Sequence, residues 1–265
     1  MSASTKEKSR PDTGQRTGVY VYGIVPGDVE LNSVVHGVGN PPGEIRLVRS
    51  GDLAALVSQV DITKPLGTPE DLHAHEEILD ATVIDAPVLP SRFGAVLTSD
   101  EAVANELLDA NHDEFAAALQ QLEGRVEYIV RGRYTEQAVL EEILSGNSRA
   151  ARLADRIRGA DPDATRELRI QLGEIVNNTV ADKRQADTRL LVSAMKDHCA
   201  ASVVRTATNE LDAVYAAFLI EDDRVGELER VVTDLSDRWQ GRVELTVRGP
   251  MAPYDFVGNP TEAGG

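Results

Sequence analysis

The order of predicted secondary-structure elements in the second half of the chain constrains its fold more than any other feature of the sequence. Period-two alternation and β-branched residues predict four strands, at residues 125–134, 202–207, 213–220 and 242–247. A long helical stretch over residues 136–198 separates the first two strands, and a helix that begins at Asp222 or Asp223 separates the last two. The order β-α-β-β-α-β predicts a ferredoxin-like domain with an enlarged helical crossover.

The first half of the chain mixes strands and helices in a less regular order. Predicted strands lie at residues 19–25, 45–49 and 53–57, and an extended segment lies at residues 87–97. Thr68-Pro69 is typical of a helix start, and that helix is predicted to end near Ile84. A second helix is predicted to begin at Ser99, and the N-terminal part to end near Leu122. The fold class of the whole chain is therefore predicted to be α+β.

These elements predict two domains between two tails. We predict a disordered tail at residues 1–17, an N-terminal α+β domain at 18–122 and a ferredoxin-like C-terminal domain at 123–248. Residues 249–265 are predicted to form a C-terminal tail that partly packs back on the domains. The first tail is polar and charged, so it cannot bury enough apolar surface to offset the entropy of ordering.

The net charge of the chain limits the kinds of partner that it is expected to bind. The formal net charge is −17, and such a surface repels phosphate backbones, so nucleic acid is not an expected partner. The acidity serves either solubility or attraction to a basic partner surface. No signal peptide and no transmembrane helix are expected, so membrane association is not predicted. The single cysteine, Cys199, excludes a disulfide within one chain and fits a reducing cytoplasm.

The candidate chemical groups do not form a catalytic, cofactor or metal site in the sequence. His73 and His75 are two residues apart on a predicted helix and point in different directions, so they cannot share an ion from one face. We expect His75 to pack at a helix–sheet junction and His73 to face solvent. Cys199 follows His198 on a predicted helix without an orienting third group, and a buried structural thiol is the expected role. The glycine-rich residues 37–43 lack the features of a phosphate-binding loop.

Two strings combine proline, glycine and aromatic residues where an element should begin or end. They lie at residues 88–97 and 249–257, and their candidate partner-contact or structural residues are Arg92, Phe93, Gly94, Tyr254 and Phe256. An arginine held between an aromatic residue and a glycine anchors a carboxylate or carbonyl across the fold, or contacts a partner. Tyr254 and Phe256 are expected to pack back on the domains, because a proline-stiffened tail would otherwise expose them.

Three strings, in this order along the chain, resemble the gas vesicle protein GvpF/GvpL family. They are Tyr20-Val21-Tyr22-Gly23-Ile24, Pro90-Ser91-Arg92-Phe93-Gly94 and Gly249-Pro250-Met251-Ala252-Pro253-Tyr254-Asp255-Phe256. The resemblance covers residues 18–258. A tryptophan and a proline are common in the family where this chain has Met251 and Ala252, and the sequence does not separate the F-type from the L-type member.

The resemblance implies an N-terminal α+β domain, a ferredoxin-like C-terminal domain and a role in building the gas vesicle, a hollow protein shell in the cytoplasm. Members of the family are accessory or minor structural components that bind the small, hydrophobic shell protein GvpA and other Gvp proteins during nucleation and assembly. The resemblance implies no enzymatic activity and no cofactor. A ligand-binding regulatory module and an enzyme stay open as alternatives; they would need a deep pocket or convergent titratable groups, respectively.

Overall fold

The computed structural model describes residues 16–31 and 36–257 of the chain. Most of the tail predicted at residues 1–17, and the end of the tail predicted at 249–265, lie outside the described residues. The helices and two antiparallel sheets confirm the predicted α+β class. Among the described residues, no helix is both long enough and apolar enough to cross a membrane.

The chain divides into two compact units. The first contains the residues up to Leu79 together with Val88–Leu119, and the second contains Asp80–Pro87 together with the residues from Gln120 onward. The limits of the predicted domains stay a prediction.

The first unit is built on a sheet whose central strand is buried along almost its whole length. Its strands are β1 (Thr17–Pro26), β2 (Arg46–Ser50), β3 (Leu53–Asp61), β4 (Leu89–Pro90) and β5 (Val96–Leu97). The order is β2-β3-β1-β4, β5 also pairs with β1, and all these pairs are antiparallel. Eight successive residues of β1 are buried, which explains why that strand is a continuous run of apolar and aromatic residues rather than an alternating one.

The helices of the first half differ in regularity. The first, α1 (Pro69–Thr82), ends two residues before the predicted Ile84. The second begins as predicted, because the Ser99 hydroxyl accepts a hydrogen bond from the Ala102 N–H and caps α2 (Asp100–Ala102). It then continues as a wide π-type turn over Val103–Leu108 and a 3₁₀ turn over Asp109–Asn111 before α3 (His112–Leu122).

The second unit has the predicted β-α-β-β-α-β order. Its elements are β6 (Arg125–Tyr134), α4 (Glu136–Gly146), α5 (Ser148–Ile157), α6 (Arg166–Met195), β7 (Ala201–Val204), β8 (Asp212–Glu221), α7 (Val225–Arg238) and β9 (Val243–Met251). The sheet order is β7-β8-β6-β9 with antiparallel pairs, which is the ferredoxin-like order. Three helices form the enlarged crossover, and the break between the first two lies at Asn147, whose side chain caps α5.

Helix α6 is the longest element, with 30 residues, and only part of it is buried. The sequence shows one apolar stripe over Leu168, Leu172, Ile175, Val176 and Val180. Of these five residues only Val180 is buried, and the four before it are half-buried. The other buried positions of α6 lie further along, at Asp187, Leu191 and Met195, so the helix packs most deeply in its C-terminal half, beyond most of the predicted stripe.

Candidate functional site

Four rings form a cluster in the core of the first unit. Tyr20 and Tyr22 lie two residues apart on β1 and therefore share one face of the sheet. His75 from α1 and Phe93 from the turn before β5 complete the cluster. Neighbouring ring centroids are 4.8–5.9 Å apart, and most pairs meet edge to face or tilted, the geometry that the ring quadrupoles favour.

Hydrogen bonds fix the tautomer of the neutral His75 ring. The carbonyl of Ser91 can only accept, so His75 Nε2, at 3.2 Å, carries the proton. Nδ1 is then the acceptor for the Tyr20 hydroxyl, at 3.0 Å, and that hydroxyl accepts in turn from the Gly94 N–H at 3.1 Å. Burial lowers the pKa of His75 and raises that of Tyr20 to about 12, so both groups are neutral near pH 7. The placement of His75 at a helix–sheet junction confirms the prediction, as does exposed His73.

A second set of polar groups holds the glycine-rich residues 37–43 against the same core. The Tyr22 hydroxyl accepts from the Val38 N–H and shares a hydrogen bond with Ser58, both at 2.8 Å. The buried carboxylate of Asp71 accepts from the N–H groups of Gly39, Gly67 and Thr68 at 2.9–3.0 Å. Desolvation raises the pKa of Asp71, but these bonds lower it more, and the net shift is downward.

The predicted residues Arg92, Phe93 and Gly94 occupy one exposed turn with three different environments. Phe93 is half-buried against the ring cluster, whereas Arg92 is exposed and forms no salt bridge with any residue that the structure describes. Gly94 has φ +89, which favours glycine, and its N–H contacts the Tyr20 hydroxyl. The described residues thus offer no internal ion pair for Arg92, and partner contact is the alternative that stays open.

An exposed apolar pair lies next to this turn along the edge of the sheet. Val96 is 37% exposed and Ile62 is 46% exposed. Their side chains converge over Gly18, where a Cβ atom would lie 2.6 Å from Val96 Cγ1 and 2.9 Å from Ile62 Cγ2. The absence of a side chain at Gly18 therefore lets the two apolar groups meet at the surface. We call Ile62, Arg92, Phe93 and Val96 the edge surface.

The C-terminal string packs within the second unit through a buried group of charges. Glu127 on β6 is fully buried; its carboxylate accepts from the Asp255 N–H at 3.0 Å and lies 3.5 Å from the Arg205 guanidinium. Arg205 also donates to the Asp255 carboxylate at 2.7 Å and to the Tyr215 hydroxyl at 2.8 Å. Desolvation, followed by the effect of nearby Asp255, raises the pKa of Glu127 to about 8. Burial therefore shifts the equilibrium of Glu127 toward its protonated form.

The predicted residues Tyr254 and Phe256 lie beside this group in a 3₁₀ turn, Tyr254–Phe256. Phe256 packs against the buried residues Ile129, Ala217 and Met251, and Tyr254 is half-buried. Sequence reasoning missed Asp255, Arg205 and Glu127. Asp255 stands inside the C-terminal string, so the string itself could have indicated it, but its two partners are far away in the sequence, on β6 and directly after β7.

The titratable groups singled out in the sequence lie in packed or hydrogen-bonded surroundings. The described residues contain no group of three His, Cys, Asp or Glu side chains that could hold a metal ion. His75 uses both ring nitrogens in hydrogen bonds, and burial raises the pKa of the Cys199 thiol, which makes it a poor nucleophile. Cys199 is half-buried rather than fully buried as predicted.

Comparison with known proteins identifies relatives of this chain. The family described as "Gas vesicle synthesis protein GvpL/GvpF" matches residues 18–258. Gas vesicle protein F of Streptomyces sp. (strain CB03234) is 34% identical over 242 residues, which are 90% of this chain and 98% of that protein. Gas vesicle protein L of the same strain is 31% identical over 264 residues, with 90% of this chain and 92% of that protein covered.

The solved structures agree with the fold. The crystal structure of GvpF from Anabaena sp. PCC7120 superposes with a TM-score of 0.76 at 21% sequence identity, over 92% of this chain and 99% of that chain. The predicted resemblance is thus confirmed over nearly the whole chain, for both the F-type and the L-type relatives. The chain belongs to the GvpL/GvpF family of gas vesicle synthesis proteins.

Proposed function

We propose that this chain is an accessory or minor structural protein of the gas vesicle, which binds the shell protein GvpA and other Gvp proteins during nucleation and assembly in the cytoplasm. The family match over residues 18–258 and the names of the relatives support this role. The observation that carries the contact proposal is the edge surface of the first unit, which combines exposed Ile62, Val96 and Arg92 with the half-buried ring of Phe93.

The physical requirement for such a protein follows from the chemistry of the shell. A subunit that forms an apolar, gas-facing wall is an aggregation hazard before it is assembled. A partner with an apolar contact surface can cover part of that subunit, and a net charge of −17 keeps the complex apart from other copies.

The edge surface suits this role because the core beneath it is rigid, whereas the short strands beside it leave much of its backbone unpaired in the sheet. β4 and β5 are only two residues long, so the segment between them adds little pairing of its own to β1. The N–H of Ser91 donates to the Tyr22 carbonyl at 2.8 Å, and the N–H of Val21 donates to the Ala95 carbonyl at 2.9 Å. These bonds hold the segment at the sheet edge, and the ring cluster fixes Phe93 from below.

We propose no catalytic activity for the chain. The His75 ring and the Glu127 carboxyl group are occupied in hydrogen bonds within the core, and burial raises the pKa of the Cys199 thiol. A defined substrate turned over by the purified protein would contradict this part of the proposal.

The test is capture of GvpA from the same cells by the full-length protein and by variants of its edge surface. We expect Arg92→Glu combined with Ile62→Lys to reduce capture at least about tenfold, because the central part of an interface carries most of its binding energy. The matched control is Arg152→Glu combined with Ile170→Lys, which makes the same changes at exposed positions of α5 and α6.

Three outcomes decide the test. Loss of capture with the edge variant, but not with the control, supports the contact in the first unit. Equal capture by both variants, with unchanged circular dichroism, would move the contact elsewhere, and no capture by the wild-type protein would contradict direct binding of GvpA.

A further inference from the structure

The second unit contains a groove between the C-terminal half of α6 and the strand β7. Its volume is about 480 Å³, within the range of ligand-binding clefts. Arg189 and Val192 line it from α6, Lys196 lines it from the C-cap of that helix, and Ser202 and Val204 line it from β7. The lining residues include no acidic side chain, although the chain as a whole is strongly acidic.

Two cations flank this groove without a partner in the part of the chain that the structure describes. Arg189 and Lys196 are both exposed, and neither forms a salt bridge with a described residue. They are seven residues apart, and Lys196, the C-cap of α6, keeps helical φ and ψ, so both lie on the same face about 10 Å apart along the axis. By contrast, Lys183, Arg184 and Arg242 of the same unit all bind carboxylates or carbonyls.

The other wall of the groove is an unprotected strand edge. β7 is the last strand in the sheet order, and Val204 is 56% exposed. The Arg205 N–H donates to the Tyr215 carbonyl, so alternation along the antiparallel pair directs the Val203 N–H toward β8. The N–H groups of Ser202 and Val204 then point away from β8 and are available to an added strand.

We propose that this groove binds an extended, acidic segment of a partner protein, which adds to the edge of β7. Backbone hydrogen bonds would form with Ser202 and Val204, as in other cases of strand addition. Carboxylates of the bound segment would pair with Arg189 and Lys196, and its apolar side chains would pack on Val192 and Val204. A second copy of the chain is disfavoured as the occupant because two molecules of charge −17 repel each other. This site is separate from the edge surface of the first unit.

The binding test uses full-length protein and a short fluorescein-labelled peptide in which Glu alternates with Val and Thr, with a Lys-for-Glu peptide as the control. We expect the acidic peptide to bind and the basic one not to bind. Arg189→Glu combined with Lys196→Glu should weaken binding at least about tenfold, because both charge pairs become repulsive. The control Arg149→Glu combined with Arg152→Glu changes the net charge equally on α5 and should leave the affinity unchanged.

Two further readouts locate the peptide. Val204→Pro removes an outward N–H and should therefore also weaken peptide binding. An edge strand tolerates proline, so we expect the fold to be kept. Cys199, the only cysteine of the chain, lines the groove, so bound peptide should slow its reaction with a thiol reagent.

Three results of the binding test would each overturn the proposal. These are absence of binding by the acidic peptide, equal binding of the basic peptide, and equal affinity of the groove and control variants. If Val204→Pro does not fold, the charge-reversal pair decides. A dimer in sedimentation experiments that depends on Arg189 and Lys196 would assign the groove to a second copy and also overturn the proposal. Loss of GvpA capture by the edge variant, with peptide binding retained, would separate the two sites.

Discussion

The hydroxyl of Tyr20 donates a hydrogen bond to Nδ1 of His75 across 3.0 Å and 55 residues of sequence. The same hydroxyl accepts from the Gly94 N–H. One phenol oxygen therefore joins the central strand, the first helix and the turn of the edge surface. The string at residues 20–24 provides the hydroxyl and the string at residues 90–94 provides the N–H group, so this hydrogen bond links the two strings in the structure.

We predict that the first unit loses stability as the pH falls below about 6.5. Burial depresses the folded pKa of His75 below its ordinary value of 6.5, so its contribution is present above that value and is lost as protons bind preferentially to the unfolded state. The loss is at most about 1.4 kcal/mol per pH unit. Hydrogen exchange of the β1 amides, corrected for the intrinsic pH dependence of exchange, measures this loss of stability within the first unit.

The control for this prediction is His75→Gln, whose side chain does not titrate in this range. Its β1 amides should show a smaller decline in protection over the same pH interval. Equal declines in both proteins would assign the effect to other groups.

We predict that Gly94→Ala lowers the free energy of unfolding by about 1–2 kcal/mol, the cost of placing a residue with a Cβ atom at positive φ. A Cβ atom at Gly94 would meet no atom within 4 Å, so the cost is conformational rather than steric. Gly173 in the middle of α6 also has open space around it. Gly173→Ala should therefore stabilise the protein, by about 0.5–1 kcal/mol. Urea unfolding of both variants distinguishes the two signs.

We predict that the second unit becomes less stable as the pH rises toward about 8. The folded pKa of Glu127 is raised from 4.5 to about 8, so its stabilising contribution is complete below 4.5 and is lost as the pH rises through 8. Glu127→Gln mimics the protonated acid and keeps an acceptor for the Asp255 N–H. Hydrogen exchange of the β6 amides between these pH values should show declining protection in the wild type and a flatter protection profile in the variant. Parallel profiles in the two proteins would contradict this prediction.

We predict a large difference between two ion pairs of the second unit. Asp187 is buried, accepts two hydrogen bonds from Arg242 and a third from the Tyr134 hydroxyl. Asp187→Ala should cost about 3 kcal/mol or more, because it leaves a largely buried guanidinium without a partner. Glu142→Gln, which breaks the more exposed pair with Lys183, should cost less than about 1 kcal/mol. Comparable losses in thermal unfolding would contradict the burial argument.

The sequence by itself determined the order of elements in the second unit, because the signals involved are local. Alternation marks β6, and the side chain of Asn147 caps the helix that follows it within three residues. The same holds for Ser99 at the start of α2. Such signals depend on neighbours in the chain and therefore survive without knowledge of the fold.

Only the tertiary structure decided which polar groups meet and which apolar faces are covered. Glu127 and Asp255 are 128 residues apart, and their shared environment exists only because β6 lies in the middle of the sheet while the C-terminal segment packs beside it. The stripe that begins at Leu168 has a helical period, but most buried residues of α6 lie in the C-terminal half of the helix. The exposure of Arg92 likewise depends on what the rest of the chain brings near it. Burial and long-range pairing are properties of the packed chain, and local periodicity cannot specify them.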